Sequence, residues 1–522
     1  MRADVIVVGT GLAGMTAALA AEEGGAEVVL IDRGTIGMGT NSALSNAAFS
    51  GPSSPERTDE YVDLVLQIGK GLNRVAYVRQ VAREAPAAFA FLESLDLEIV
   101  RTPGHWLVRS AQPEVIPGGS LVRRVAELVA KRDRIRAERG LYVQRLLAGP
   151  DRVVGVTGVD RDGRERDIRA SAVILACGGA GAIYARHDNQ ASIMGQGYYL
   201  AARAGLALWD MEFVQCYPIV LDEPGMPTMM IYPPYPREAT LIGQEGADLL
   251  KKHDLVNINQ AIVRKRDTFA AMLAAEGKAG PVRVDLRAVP EGAWSAHPLS
   301  LLARFKAECQ KRPIRVSPAV HFFMGGVQTD EEGQTGRGGL FACGEMVWGL
   351  HGANRMGGNA LMECLVSGRR AGLGAAGWAR DHQNLPAEPA STPGEAAAGG
   401  ERVNLRDLRR RLQNIAWEHA GVVRSGEGMA AGLRDTEAIG RILRAAGTAT
   451  PRDRIVRDDL LSASFTLRAV LTAGLGRLES RGAFIRSDYP AQDDAQWLKN
   501  SRLIWDAVAE RFHVHYVPAV AG

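Results

Sequence analysis

The stretch Asp4-Val-Ile-Val-Val-Gly9-Thr-Gly11-Leu-Ala-Gly14 constrains the fold more than any other part of the chain. Residues 4–8 are a β-branched run that stops at Gly9, residues 13–23 carry a helical apolar pattern, and residues 26–32 read as a second strand, so the chain opens βαβ. Gly9 permits a tight turn, Gly11 lets backbone N–H groups approach a pyrophosphate, and Gly14 lets helix and strand pack closely. The helix N-terminus then faces phosphate charge, and the Asp32 carboxylate can accept from ribose hydroxyls. Three spaced glycines alone are a weak signal; the strand before them, the helix after and the acid about eighteen residues on give the pattern its meaning. A dinucleotide-binding α/β domain is expected.

Two later glycine turns decide which dinucleotide. "SAVILACGG" is a buried-strand pattern ending at Gly178 and Gly179, and "GLFACGE" closes another strand at Gly344-Glu345. A strand ending in Gly-Glu so far along the chain suits a second contact to a ribityl chain, which FAD has and NAD lacks. Between the two turns, residues 191–208 read as a helix, and "PGMPTMMIYPPYPREA" breaks the pattern near residue 222. Residues 222–320 look like a mixed insertion, 383–403 a Pro/Ala/Gly linker, and the chain from 404 onward helical and amphipathic.

At 522 residues the chain exceeds one hydrophobic core, and two or three domains are expected. Its net charge of +3 is too small for a nucleic-acid or membrane-surface partner. No apolar run reaches the length of a membrane span, and the first strand begins too early to leave room for a targeting segment. The five cysteines (Cys177, Cys216, Cys309, Cys343 and Cys364) include no C-x-x-C, which disfavours disulfide scaffolding, zinc and a Cys-ligated iron–sulfur cluster. A cytoplasmic setting is expected, with membrane association only through a partner subunit.

Taken in order, "VVGTGLAGMTAAL", "VILACGGAGAIY", "DMEFVQ", "HFFMGGV", "GLFACGEMVWGLHGANRMGGNAL" and "ESRGAFIRSDYP" resemble the flavoprotein family of succinate dehydrogenases, fumarate reductases and L-aspartate oxidases, over nearly the whole length. The resemblance implies an α/β fold: a Rossmann-like FAD-binding domain in two parts (1–221 and 321–382), an inserted α+β capping domain (222–320) and a C-terminal helical domain (404–522). It implies that Gly9, Gly11, Leu12, Ala13, Gly14, Asp32, Arg33 and Ser45 hold FAD, with Ala176, Cys177, Gly178, Gly344 and Glu345 from the two later turns. Asn359, Ala360 and Leu361 would open a helix whose free N–H groups face the flavin N1–C2 carbonyl edge. Arg355 would clamp a substrate carboxylate, a task that suits its planar fork. His321 would bind substrate beside it, with Tyr217 and His351 as further substrate contacts. Arg266 would exchange the proton, a role that needs neighbours able to lower a guanidinium pKa.

Four departures from the family pattern stand out. The region where respiratory members link FAD to a His reads "GMGTNSALSNAAFSG", and the first His of the chain is His105. A substrate-holding His-Pro-Thr is replaced by Tyr217-Pro218-Ile219, and the proton-relay Thr-Glu-x-x-Arg-Gly-Glu-Gly by Ala239-Thr240-Leu241-Ile242-Gly243-Gln244-Glu245-Gly246. Glu238 could replace the missing acid only if the chain slips. Phe484 stands where the family has His. The expected activity is hydride movement between FAD and the α,β carbons of a small carboxylate, with an iron–sulfur or other electron-transfer protein as redox partner. L-aspartate oxidase chemistry and an electron-transfer subunit of an iron–sulfur complex are the alternatives. With no His at the linkage position FAD is expected to be non-covalent: acid or heat precipitation should leave all the flavin in the supernatant, and flavin that stays with the pellet contradicts the expectation.

Overall fold

In the computed structural model, residues 2–149, 151–384, 390, 391 and 400–519 are described. The strand Arg2–Val8 lies at the centre of a parallel sheet, between Val28–Asp32 and Glu165–Leu175, with Ile135–Arg139 beyond Val28–Asp32. The far edge of Glu165–Leu175 is shared: Leu340–Ala342 pairs parallel with its end, and Val153–Val159 pairs antiparallel with its start. The sheet's β-branched residues are buried on both faces, as a helix-covered parallel sheet requires.

Two helices on this sheet pack side by side. Leu12–Glu23 follows the first glycine turn, and Asn359–Asp381 follows the turn at Gly357 and Gly358. A Cβ on Gly368 would collide with Ala13 O, one on Gly372 with Ala17 O, and one on Gly24 with the Ala376 side chain. The pairing rises in step along both chains, so the helices run parallel. Relative to that contact the second helix starts eight residues earlier, which carries its N-terminus about 12 Å past that of the first.

The insertion stands on an antiparallel pair, Val214–Leu221 with Ile314–Phe323, extended by Arg283–Asp285 and Thr240–Ile242. It has its own apolar cluster, running from Tyr217 to Ala319, so it begins a few residues before the expected boundary at 222. The helix expected over 191–208 is shorter, Gln196–Arg203, because Gly195 turns the chain with φ +82 just before it. Most of the expected linker 383–403 lies outside the described residues.

Three helices, Leu405–Ala420, Gly426–Ala445 and Pro451–Gly476, form most of the C-terminal part. The expected C-terminal helical domain also carries strands. Lys499–Asp506 and Arg511–Pro518 form a hairpin that extends a sheet through Leu208–Trp209, nearly three hundred residues away in sequence. Its pairing partner is remote, so local periodicity does not announce it. Among the described residues no helix is long and apolar enough to cross a membrane.

A fully buried ionic chain ties these parts together. Arg477 Nε donates to Glu212 Oε1 at 2.8 Å, Arg477 Nη1 to Glu479 Oε1 at 3.0 Å, and Arg481 Nε to the same oxygen at 2.7 Å. Asp210 accepts from Trp348 Nε1 at 2.6 Å, Asn500 Nδ2 at 2.6 Å and Ser501 N at 2.8 Å. Removing one member strands its partners without water. Arg477→Ala is therefore expected to cost about 3–5 kcal/mol of stability, read as a lowered denaturation midpoint; a change within 1 kcal/mol would show, by that measure, that the chain carries little of the fold.

Candidate functional site

The first cleft, about 350 Å³, lies over the first glycine turn and is lined by Gly9, Gly11, Leu12, Ala13, Asp32, Arg33, Ala176, Cys177, Gly178, Gly344 and Glu345. Gly9 has φ +108, and a Cβ there would collide with Ala176 O, so only glycine fits this close approach. Gly14 packs against Gly9 O under the cleft and is buried rather than lining it. The helix Leu12–Glu23 has no side-chain cap, and Ser42 Oγ takes one N–H of its first turn, that of Leu12, at 3.1 Å. Asp32 accepts from Thr10 Oγ1 and from Gly34 N. The Arg33 fork is committed to Asp459 at 2.9 and 2.6 Å, so Arg33 serves as a wall built with the C-terminal helix and has little left to donate to a ligand.

The second cavity is larger, about 1470 Å³, and shares Asn41, Ser42, Glu345 and Cys364 with the first. Ser45 lines it, with its hydroxyl donating to Ser42 O at 2.7 Å. Ala360 and Leu361 also line it, at a helix start that has no side-chain cap, and their N–H groups have no protein acceptor among the described residues. Asn359 is buried behind them, with Oδ1 accepting from Tyr61 OH at 3.1 Å and Nδ2 unpartnered. Two free N–H donors about 12 Å past the first helix start suit a ligand with phosphates at one end and a carbonyl edge at the other. FAD has that shape. Glu345 sits where the cavities meet; it accepts from Phe323 N at 3.0 Å, and burial pushes its carboxyl up to about 7.

Beyond the helix start the cavity gathers three of the expected side chains. Arg355 is buried; its Nε and Nη2 donate to Gln215 Oε1 at 3.1 and 2.9 Å, its guanidinium lies 4.6 Å from the Phe322 ring centre, and Nη1 has no protein acceptor among the described residues. Burial first, and then the nearby Arg266 charge, pull its pKa down to about 10. Arg266 Nη2 donates to Asn354 Oδ1 at 2.6 Å and Arg355 O at 2.7 Å, and Asn354 Nδ2 donates to Asp267 Oδ2 at 2.5 Å. The cap helix Ile258–Ala279 breaks at Lys265 (φ −140, ψ 32), immediately before Arg266. Asp267 Oδ1 and Arg266 Nε are buried, 3.9 Å apart and otherwise unpartnered, and burial raises the Asp267 pKa. His321 Nδ1 lies 2.9 Å from Asp188 Oδ2, and Asn189 Nδ2 donates to His321 O at 3.0 Å. With Nδ1 committed, Nε2 is the ring nitrogen left for a ligand.

One expected contact falls elsewhere, and another lines the cavity with its hydroxyl already used. His351 does not line the cavity: it is buried, with Nε2 2.9 Å from Glu363 Oε2 and its ring against Phe322. Gly352, at φ +56, turns the loop between His351 and Arg355 and sends the two side chains to different partners. Tyr217 lines the cavity but donates its hydroxyl to Ile231 O at 3.2 Å. Glu238 does not line the cavity, and Phe484 packs in the core against Phe213. Residues that the sequence reading passed over are Asp188, Gln215, Asn354 and His105. Gln215 and Asn354 lie inside quoted motifs, so their positions were available while their partners were not. Ser50 Oγ donates to Gly357 O at 2.7 Å, so it accepts from His105 Nδ1 at 2.9 Å and leaves His105 Nε2 as an acceptor.

Fold and site together define an FAD-dependent oxidoreductase. Residues 4–361 match the FAD binding domain family model, and residues 409–521 match the fumarate reductase flavoprotein C-term model. The L-aspartate oxidase of Caulobacter vibrioides is 33% identical, with 94% of each chain covered, and that of Streptomyces coelicolor is 29% identical over 96% of this chain and 91% of its own. Among solved structures, the Mycobacterium smegmatis Sdh1 chain in its complex superposes with a TM-score of 0.84 at 25% identity, covering 100% of this chain and 95% of that one. The E. coli quinol fumarate reductase FrdA chain has a TM-score of 0.87 at 23% identity, covering 100% and 97%. The chain belongs to the succinate dehydrogenase, fumarate reductase and L-aspartate oxidase flavoprotein family.

Gln215 is the single side-chain acceptor that orients Arg355 among the described residues. Gln215→Met should leave FAD stoichiometry intact and weaken binding of a carboxylate analogue about ten-fold, read from the flavin difference spectrum, since a hydrogen bond to a charged group is worth about 1.5–3 kcal/mol. Unchanged affinity would remove Gln215 from the clamp.

Proposed function

We propose that this protein moves hydride between flavin N5 and the α,β carbons of a carboxylate substrate and exchanges the electrons with a separate redox protein. The observation that carries this reading is one buried guanidinium, Arg355, with two donors held by Gln215 and a third uncommitted, in the cavity that also contains the free N–H groups of Ala360 and Leu361. FAD, when bound, supplies the two-electron exchange at N5. Arg355 and the Nε2 side of His321 would grip the acid group, with Asp188 keeping the imidazole oriented. Arg266 would hold or release the proton at the neighbouring carbon. Its contact with Asp267, whose burial makes it readier to bind a proton, gives a route that the altered Ala239–Gly246 segment lacks.

A second reading, amino-acid oxidation of the L-aspartate oxidase kind, is supported by the identity to proteins of that name. It needs an acceptor for an α-amino group. Of the cavity-lining carboxylates, Asp188 is engaged with His321 and Glu345 with Phe323 N, while Asp267 accepts from Asn354 through Oδ2 and keeps Oδ1 without a hydrogen-bond partner. That oxygen already faces a guanidinium, Arg266 Nε at 3.9 Å, and on this ground we place the carboxylate reading first. Five free cysteines support a reducing, cytoplasmic setting, and the likeness to Sdh1 supports an electron-transfer partner.

The test is to reduce the holoenzyme with dithionite and mix it anaerobically with a panel of α,β-unsaturated acids, following return of the oxidised flavin spectrum. Reoxidation by at least one acid, abolished in Arg355→Ala with FAD still bound, is the expected outcome. Reoxidation by none, alongside release of ammonia from L-aspartate by the oxidised enzyme, would transfer the function to the second reading.

A further inference from the structure

We infer that the acid taken by this site carries a single carboxylate and that the rest of the molecule is an apolar body, aromatic or branched hydrocarbon; the inference rests on the carboxylate reading above and names its substrate class. One end of the cavity is the Arg355 and His321 clamp. The facing wall comes from the insertion. Tyr217 stands there with its ring centre 6.3 Å from that of His321 and 6.5 Å from that of Tyr232. Its hydroxyl and that of Tyr235 both donate to Ile231 O, at 3.2 and 2.6 Å, so the Tyr217 donor is already used and the side chain presents its ring. Met229, Met230, Ile262 and Leu301 line the cavity with it. Ala239, at the position where the family's relay segment begins, is buried in the insertion's own core and does not reach the cavity.

A second carboxylate would need a cation on this side. The other basic side chains lining the cavity are Arg266, Arg481, Lys70, Arg264, Lys265 and His105, and burial lowers the His105 pKa so that its imidazole is less ready to carry a charge. Arg266 Nη2 is shared between Asn354 Oδ1 and Arg355 O, and Arg266 belongs to the clamp's own end. Arg481 gives Nε and Nη2 to Glu479, Nη2 also to Asp494, and Nη1 to Lys70 O. Lys70, Arg264 and Lys265 are solvent-exposed, where screening leaves an ion pair little net worth. A carboxylate set against Tyr217, Tyr232 and two methionines would thus have only the clamp's own Arg355 and Arg266 charges in reach to offset its desolvation, whereas a ring or branched chain gains by leaving water there.

The deciding measurement is binding. The oxidised holoenzyme is titrated with 3-phenylpropanoate and with succinate, following the flavin difference spectrum; the arylated acid is expected to bind about thirty-fold tighter, the ratio for burying one aromatic side chain. In the paired turnover arm, the dithionite-reduced holoenzyme meets (E)-3-phenylprop-2-enoate or fumarate. The carbon–carbon double bond takes an electron pair with hydrogen at one carbon and a proton at the other, giving the saturated acid and oxidised flavin, with dithionite as electron source. The aryl acid is expected to react faster at equal sub-saturating concentration. Tyr217→His, which places an imidazole on the apolar wall, should narrow the binding ratio at least ten-fold by improving succinate; if that variant fails to hold FAD, the wild-type ratio decides. Succinate binding as tightly as 3-phenylpropanoate, with fumarate turned over, would overturn this inference and leave the carboxylate reading standing. Binding and turnover of neither acid would overturn both.

Discussion

The contact on which the rest depends is the glycine-to-backbone packing of two parallel helices, Leu12–Glu23 and Asn359–Asp381. Gly368 and Gly372 lie directly on the Ala13 and Ala17 carbonyls, closer than any side chain would allow. Because the helices are parallel, both positive ends open on the same side of the sheet, and the register between them sets how far apart those ends are. That distance matches a cofactor with phosphates over one helix and a charge-gathering ring edge over the other. Any larger residue at the crossing would spread the helices and shift the start of the second against the first, although neither glycine lines either cavity.

The short stretch Asp210–Gln215 shows how one segment serves two ends of the molecule. Asp210 and Glu212 turn into the C-terminal part, accepting from Trp348, Asn500 and Ser501 on one side and Arg477 on the other. Gln215, three residues further and inside the strand Val214–Leu221, turns to Arg355. Buried charges such as these seldom add net stability compared with an apolar replacement. What they do here is hold the start of the insertion at a fixed place relative to the hairpin and to Trp348, so that the strand carrying Gln215 meets the loop carrying Arg355.

The parts of the site that could be read in the sequence are those whose chemistry lies within a few residues: the Gly9–Gly14 turn, the Gly344-Glu345 strand end, and Arg355 before a helix start. Gln215 and Asn354 were visible as members of motifs, but their duty as acceptors for guanidinium groups depends on a strand, a loop and a cap helix meeting, and spacing along the chain carries no trace of that. His351 marks the opposite error. The family resemblance implied a substrate contact for it, while one left-handed glycine between it and Arg355 turns the loop and the imidazole meets Glu363. The C-terminal hairpin was missed for a related reason: its sheet partner, Leu208–Trp209, belongs to another part of the chain.

The amino-acid sequence by itself determined the βαβ opening, the glycine turns of an FAD-binding domain and the presence of a guanidinium, Arg355, just before a helix start, because those features rest on local backbone freedom and on residue chemistry. Tertiary structure alone decided which donors of Arg355 remain free, which nitrogen of His321 faces the cavity, and that the wall across from them is aromatic and thioether. Those outcomes depend on which distant groups take up each polar atom once water is excluded, and hydrogen bonds between remote residues leave no periodicity in the chain to be read.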